Sequence, residues 1–318
     1  MRQLKKIEIN DASFKVYYVF NSRLKSKTYA IKDPIITNYL TKHGHPRNEL
    51  ITFKEDGHIY QIENVPQITS VTTWVHSLFP HFNADMVIEK IVASQTWKNG
   101  TSPYSNMSAT EIKSKWEEKR VSSSSKGTQL HAAIEYYYNL VSFIEDKYGS
   151  TSENIINIAL RDFTKERELF RQFELDRQST LTYMNSEGFI LEQDFSNWKP
   201  FRTEWCIFDE DAHIAGTIDM IFRDGDDYII MDWKRCPEFK KTNPFESATH
   251  PILAHLPNSN YWHYALQLNI YRYMLKRKYN IIVKQLFLVG IHPDHEKYQM
   301  CEIPIMDSTM EKLFSTKK

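Results

Sequence analysis

Asp232 and Lys234, in the segment DYIIMDWKR over residues 227–235, are the first residues whose types and spacing point to chemistry. Residues 228–231 are apolar on both faces, as a buried central strand requires. Two positions apart on a strand, the acid and the amine project to the same side. Such a pair at the end of a buried strand is expensive to desolvate unless it is partnered or used. Asp219 lies in HIAGTIDMIF, the preceding strand. Its flanks, Ile218 and Met220, are expected to face the opposite way, leaving it on a side shared with Ala215, Thr217 and Ile221 and beside Asp232 across the ladder. Two carboxylates held close repel unless a cation lies between them. An oxygen-rich pair suits magnesium or manganese.

Further polar residues fall on otherwise apolar stripes. Glu204, in RTEWCIF, points with Cys206 and Phe208. His131 and Glu135, in GTQLHAAIEYYYN, are spaced i and i+4 on one helix face. Gln267 and Tyr271, in YALQLNIYRYML, share the same spacing on a stripe with Tyr264 and Leu275. A glutamine there needs a hydrogen-bond partner, whether a phosphate oxygen, a water or a buried backbone group. Taken singly, each has a plain structural reading: a strand-end ion pair, a solvated acid, a packed helical histidine, an amide bonded to backbone.

Taken in order, GTQLHAAIE (127–135), the lone Glu204, GTID (216–219), DWK (232–234) and QLNIY (267–271) resemble the RecB-like branch of the PD-(D/E)XK nuclease superfamily. The GxxD, DxK and QxxxY trio is the specific part. PQITSVTTW (66–74) is similar to phage and mitochondrial genome-maintenance exonucleases of that branch, and the resemblance covers residues 51–291. It implies an α/β fold with a restriction-endonuclease-like core, a mixed central β-sheet flanked by helices, helical insertions and an N-terminal extension. It implies a catalytic set of Asp219, Asp232, Lys234 and Glu204. His131, Asp219 and Asp232 would hold Mg2+ or Mn2+, with the backbone carbonyl of Trp233 as a further ligand. Lys234 would position or activate the attacking water and stabilise phosphate charge. Glu135 and Glu204 would support the metal or its waters, and Gln267 and Tyr271 would orient the lysine or touch the substrate backbone. Arg235, with Lys240 and Lys241, is the basic cluster expected to contact DNA.

The activity so implied is exonucleolytic digestion of single-stranded DNA or DNA ends in replication, repair or recombination. A helicase or polymerase that feeds it substrate is a partner the sequence leaves open. The alternatives are a structure- or sequence-specific endonuclease, a non-catalytic nucleic-acid-binding module of the same fold, and an unrelated metalloenzyme. Some RecB-like nucleases carry a four-cysteine iron–sulfur cluster. Cysteines at 206, 236 and 301 supply neither that nor a disulfide framework. No Walker loop is present, so no nucleotide cofactor is expected.

The 40 basic and 40 acidic side chains balance, unlike a non-specific DNA coater. Nucleic-acid binding would then rest on local basic clusters, at Lys113, Lys115, Lys119 and Arg120 or at Arg272, Lys276, Arg277 and Lys278, and on metal. Trp74, Trp97, Trp116, Trp233 and Tyr261 are candidates for stacking bases. No membrane span, signal or transit peptide is visible, and an intracellular, reducing location is expected.

The elements that must position these residues read as follows. Residues 1–50 form an extension with a strand-like piece at 14–20, and 51–318 form the nuclease domain. Residues 51–63 predict a hairpin around Asp56-Gly57. Thr69 or Ser70, then Asn83, then Ser108 with Glu111, are helix starts. The serine run at 122–125 is expected to be a flexible linker rather than a hinge over a substrate channel. Residues 127–146 predict a helix, and 153–185 one or two more, closed by Gly188. Strands follow at 203–208, 212–223 and 227–234, a proline-rich loop at 235–257, a helix at 260–278, and strands at 283–291 and 298–305.

Overall fold

The computed structural model describes residues 38–54, 57–149 and 154–317. The strand-like stretch at 14–20 and Asp56 of the first turn lie outside the described residues. The sheet grows from the hairpin of β7 (Ile214–Asp224) and β8 (Asp227–Lys234), where Asp224 pairs with Asp227 across Gly225-Asp226. Gly225 adopts φ +56°, the left-handed conformation that tight hairpin turns need. β8 is buried on both faces and runs parallel to β9 (Val283–Gly290). A parallel neighbour needs a crossover connection, and α8 (Asn260–Lys278) supplies it. β10 (Gln299–Glu302) pairs antiparallel with β9, and β4 (Thr180–Met184) and β5 (Ile190–Asp194) extend the sheet to its far edge. β6 (Lys199–Asp209) lies antiparallel to β7, and the short β3 (Thr69–Ser70) parallel to it. The result is a mixed sheet, as expected of a restriction-endonuclease-like fold. A separate hairpin, β1 (Ile51–Lys54) and β2 (Ile59–Ile62), packs Ile51, Tyr60 and Ile62 onto Phe208 and Ala215.

Helices cover both faces. α1 (Asn38–Lys42), α5 (Ala109–Tyr148), α6 (Ile155–Ala159) and α7 (Thr164–Arg177) build one layer against Met220, Phe222, Met231 and Trp233. α2 (Val71–Ser77), α8 and α9 (Asp307–Thr316) build the other against Ile218, Ile221 and Ile230. α3 (Ala84–Ala93) and α4 (Gln95–Lys98) lie beside the first half of α5. Ser70, Asn83 and Ser108 cap helices as expected, Ser108 and Glu111 in a reciprocal capping box. Residues 38–50 pack on this body: Tyr39 is buried beneath α5, Arg47 pairs with Glu210, and Trp205 donates to Asn48 at 2.8 Å.

Three expectations are corrected. The serines at 122–125 are not a linker but the middle of α5, one continuous helix of 40 residues. Serine costs at most about 0.7 kcal/mol relative to alanine in a helix. That penalty is outweighed by the capping box at one end, the left-handed Gly149 at the other, and burial of Leu130, Ala133, Ile134 and Tyr138. Ser124→Pro should therefore cut the helix at a cost of about 3 kcal/mol, read as lost helical circular dichroism and new proteolysis near 120–125. Unchanged signal would restore the linker. Second, residues 180–184 are strand, with Leu181 and Tyr183 buried in strict alternation, and Gly188 (φ +95°) turns β4 into β5 rather than ending a helix. Third, Ile218 and Met220 do not share a face: Ile218 packs with α8, Met220 with α5 and α7. The helix α9 has no counterpart in the sequence reading.

His263 of α8 gives a stability prediction. It sits 4.1 Å from Phe79 and 5.3 Å from His76, with Nε2 2.9 Å from Asn258 Oδ1. Burial, then the neighbouring His76, lowers its pKa to about 4. A folded value below the unfolded one means that the unfolded chain takes up the proton first as pH falls. Stability should be constant above about pH 6.5 and fall between there and pH 4, by up to about 2 kcal/mol after allowance for partial exposure. His263→Gln should flatten that part of a denaturation-against-pH curve; an unchanged slope would remove His263 as its cause.

Candidate active site

β6, β7 and β8 meet α5 and α8 at a cleft of about 360 Å3. Its lining includes His131 and Glu135 from α5, Glu204 from β6, Gly216, Thr217 and Asp219 from β7, Lys234 from β8, and Gln267 and Tyr271 from α8. Residues separated by more than a hundred positions are thus brought to one concavity. His131, Glu204 and Asp219 form the tightest group, with potential ligand atoms all within 4.8 Å of one another.

The broken alternation in β7 explains how Asp219 reaches this place. Thr203 pairs with Met220 and accepts a hydrogen bond from Asn139 of α5, whereas Trp205 pairs with Ile218 in the α8 layer. Glu204 and Asp219 therefore sit where the two strands switch layers together. Glu204 carries φ +43°, a conformation costing on the order of 1–3 kcal/mol in a non-glycine residue. Strain of this kind persists where surrounding packing over-determines it, and it is common at working sites.

Asp219 Oδ2 accepts the Trp233 N–H at 2.9 Å and lies 3.3 Å from His131 Nδ1. Burial by itself would raise its pKa, but the charge and hydrogen bond of His131, then Lys234 and the Trp233 N–H, hold it below the usual carboxylate range. His131 is the counterpart: burial would lower it, yet Asp219 carries it up to about 9. Asp232 is almost fully enclosed. Burial pushes its pKa up to about 6; Lys234 opposes the rise and Asp219 adds to it. Lys234 Nζ is 2.5 Å from Asp232 Oδ2 and 4.7 Å from the Tyr264 ring centre. Burial would lower the lysine, but Asp232 and Asp219 hold it well above its ordinary value, so it stays cationic.

The residues fit a divalent cation. One imidazole, from His131, and two carboxylates, from Glu204 and Asp219, converge, a donor set that suits manganese or magnesium. Asp232 stands outside that group: its Oδ2 is met by Lys234 Nζ at 2.5 Å, so the pair lies beside the candidate cation site.

Gln267 donates to the Tyr271 hydroxyl at 3.0 Å, and the Tyr271 ring packs directly against Gly216, where a Cβ would come within 2.5 Å of Cε1. Gly216 is thus the close-approach position that lets α8 press on β7 beside Asp219. Trp233 contributes backbone between Asp232 and Lys234; its indole is buried among Tyr138, Phe170 and Phe173.

Several expectations about contact residues are corrected. Arg235 does not join the cleft: it is paired with Glu166 of α7 at 2.8 Å, both side chains largely buried. Trp74, Trp233 and Tyr261 are core, not stacking platforms. Trp97 and Trp116 are half-buried, donate to Tyr104, and stand outside the lining of the cleft, which does not contradict their stacking a base elsewhere. Arg272 is held by Asp307, and Arg277 and Lys278 by Asp209 and Asp211. The sequence reading missed Tyr264 as a neighbour of Lys234, although it stands on the stripe of Gln267 and Tyr271. It also missed the wall formed by Phe53, His58 and Tyr60, whose signal was only an aromatic-rich hairpin.

The profile of the PD-(D/E)XK nuclease superfamily matches residues 104–310, well over half the chain, and the chain belongs to that superfamily. Membership implies a metal-dependent nuclease whose substrate is nucleic acid. No curated protein matches the sequence. The solved structure described as "Crystal structure of SSO0001" is similar over 89% of this chain and 83% of that one, at 12% identity and a TM-score of 0.27, a likeness that carries no argument. Among the described residues no helix is long and apolar enough to cross a membrane.

Proposed function

We propose that this chain is a divalent-metal-dependent deoxyribonuclease of the RecB-like branch, an exonuclease acting on single-stranded DNA or DNA ends. The observation that carries the reading is the convergence of His131, Glu204, Asp219 and Lys234 in one cleft, with Asp232 enclosed behind it and paired to the lysine. Asp219, Asp232 and His131 would hold Mg2+ or Mn2+, with the Trp233 carbonyl as a further donor and Glu204, which lies with His131 and Asp219, and Glu135 supporting. A bound divalent ion polarises the scissile phosphate and lowers the pKa of an attacking water. Lys234, kept cationic by its two acids, donates to that water or to a phosphate oxygen and offsets the charge that develops there. It does not act as a proton acceptor while that cage is intact. Gln267 and Tyr271 hold α8 against β7 at Gly216, three residues before Asp219. Residues 51–318 constitute the nuclease domain and residues 1–50 an extension of it, of which residues 38–50 pack on its body.

The test is digestion of end-labelled single-stranded DNA by wild type and Asp232→Ala, with magnesium, with manganese and with chelator. Degradation by the wild type alone, and only with metal, is expected; the ladder from each labelled end gives polarity, and resistance of circular strands gives end-dependence. Cutting of circles makes it an endonuclease. Intact single strands and duplexes in every lane would sink the enzymatic reading.

A further inference from the structure

The β1–β2 hairpin is attached beside the acids, and the metal chemistry makes no use of it. Phe53, His58 and Tyr60 line the same cleft as Lys234 and Gln267. Their rings form one cluster: Phe53 is 4.6 Å from Tyr60 and 4.9 Å from His58, and His58 is 5.5 Å from Tyr60. Tyr60 is buried and anchors the group, its hydroxyl 3.0 Å from Thr217 Oγ1. Phe53 is half-buried and His58 exposed, so solvent reaches part of both side chains. Thr217 precedes Asp219 by two positions on β7, a separation of about 7 Å along a strand. The hairpin is thus fixed about one nucleotide's reach from the acid.

We infer that this aromatic wall stacks an unpaired nucleobase next to the scissile phosphate, Phe53 and His58 supplying the stacking surface and Tyr60 holding it in place. The inference rests on the nuclease reading of the same cleft and specifies what part of the substrate the cleft receives. Three features favour a base over another ligand. The floor carries phosphate-type chemistry in Lys234 and the carboxylate group, whereas the wall is aromatic. A cleft of about 360 Å3 is at the small end of ligand sites. Stacking needs the ring face that only an unpaired base or a frayed end exposes, which explains a preference for single strands without any sequence-reading element.

The test separates binding from cleavage. Single-stranded oligonucleotides carrying one 2-aminopurine at successive positions are titrated with Asp232→Asn protein, which retains the wall. Quenching at one position is expected, with the loss of that quenching and about 5- to 100-fold weaker binding in the added variant Phe53→Leu, which keeps aliphatic bulk but no ring face. Phe53→Trp should restore both. Thermal melting checks that the variants fold; should Phe53→Leu not fold, His58→Ala is read the same way. In wild type, an abasic nucleotide at the quenched position should raise KM more than it lowers kcat. Equal quenching and affinity in Phe53→Leu and the parent would overturn the inference. A positive stacking signal from protein that cleaves nothing under any metal would instead overturn the nuclease reading and leave the base site standing.

Discussion

Lys234→Ala is expected to slow phosphodiester cleavage by about 10²- to 10³-fold, the scale of losing one fixed donor at the point where negative charge develops. It should also destabilise the metal-free protein by about 3–5 kcal/mol at neutral pH. Asp232 is then left enclosed, facing Asp219, with its nearest cation gone. The two losses have different remedies. Added Mn2+ replaces the missing positive charge and should recover much of the thermal stability by mass action, because it binds only the folded chain. It should not recover the rate, because no donor stands where Lys234 Nζ stood. Lys234→Arg keeps charge but not the compact ammonium in contact with Asp232 and Tyr264, and should fall between wild type and alanine in rate. Stability and rate restored together by metal would show that the lysine only balances charge.

The second large effect belongs to a residue that carries no chemistry. Gly216→Ala should destabilise the protein by about 1–3 kcal/mol and reduce cleavage, although its backbone angles suit any residue. The added Cβ would sit 2.5 Å from Tyr271 Cε1 and 2.9 Å from its hydroxyl oxygen. The ring cannot swing away: Tyr271 is buried and its hydroxyl is engaged by Gln267. Either α8 lifts from the sheet or β7 shifts, and Asp219 is three residues further along β7. The double variant Gly216→Ala with Tyr271→Leu separates the clash from other causes. Melting should show the pair less damaging than the sum of its members by about 0.5–3 kcal/mol. Additive losses, or a Gly216→Ala protein as stable and active as wild type, would refute the close-approach explanation.

Much of the fold is local physics and is legible in the residues. Asp224-Gly225-Asp226 between two apolar runs makes one hairpin, and β8, apolar on both faces, must be central. The caps at Ser70, Asn83 and Ser108 are short-range side chain-to-backbone bonds, so the residues within three positions decide them. The pairing of Asp232 with Lys234 follows from a spacing of two on a strand. What tertiary structure alone decides is everything that depends on a distant partner. The serines at 122–125 stay helical because residues downstream on α5 are buried, a stabilisation no window around the serines contains. Arg235 is claimed by Glu166, 69 positions away, rather than left for a substrate. Ile218 and Met220 part company because β6 and β7 change layers together at Glu204 and Asp219. The aromatic hairpin becomes a wall of the cleft only through Tyr60 and Thr217, which are separated by 157 positions. Composition and short-range pattern therefore determine which residues are able to do chemistry, because charge, size and strand or helix period are properties of the residues themselves. Which of them do so together is set by long-range packing and ion pairing, whose energies depend on neighbours that the linear order does not name.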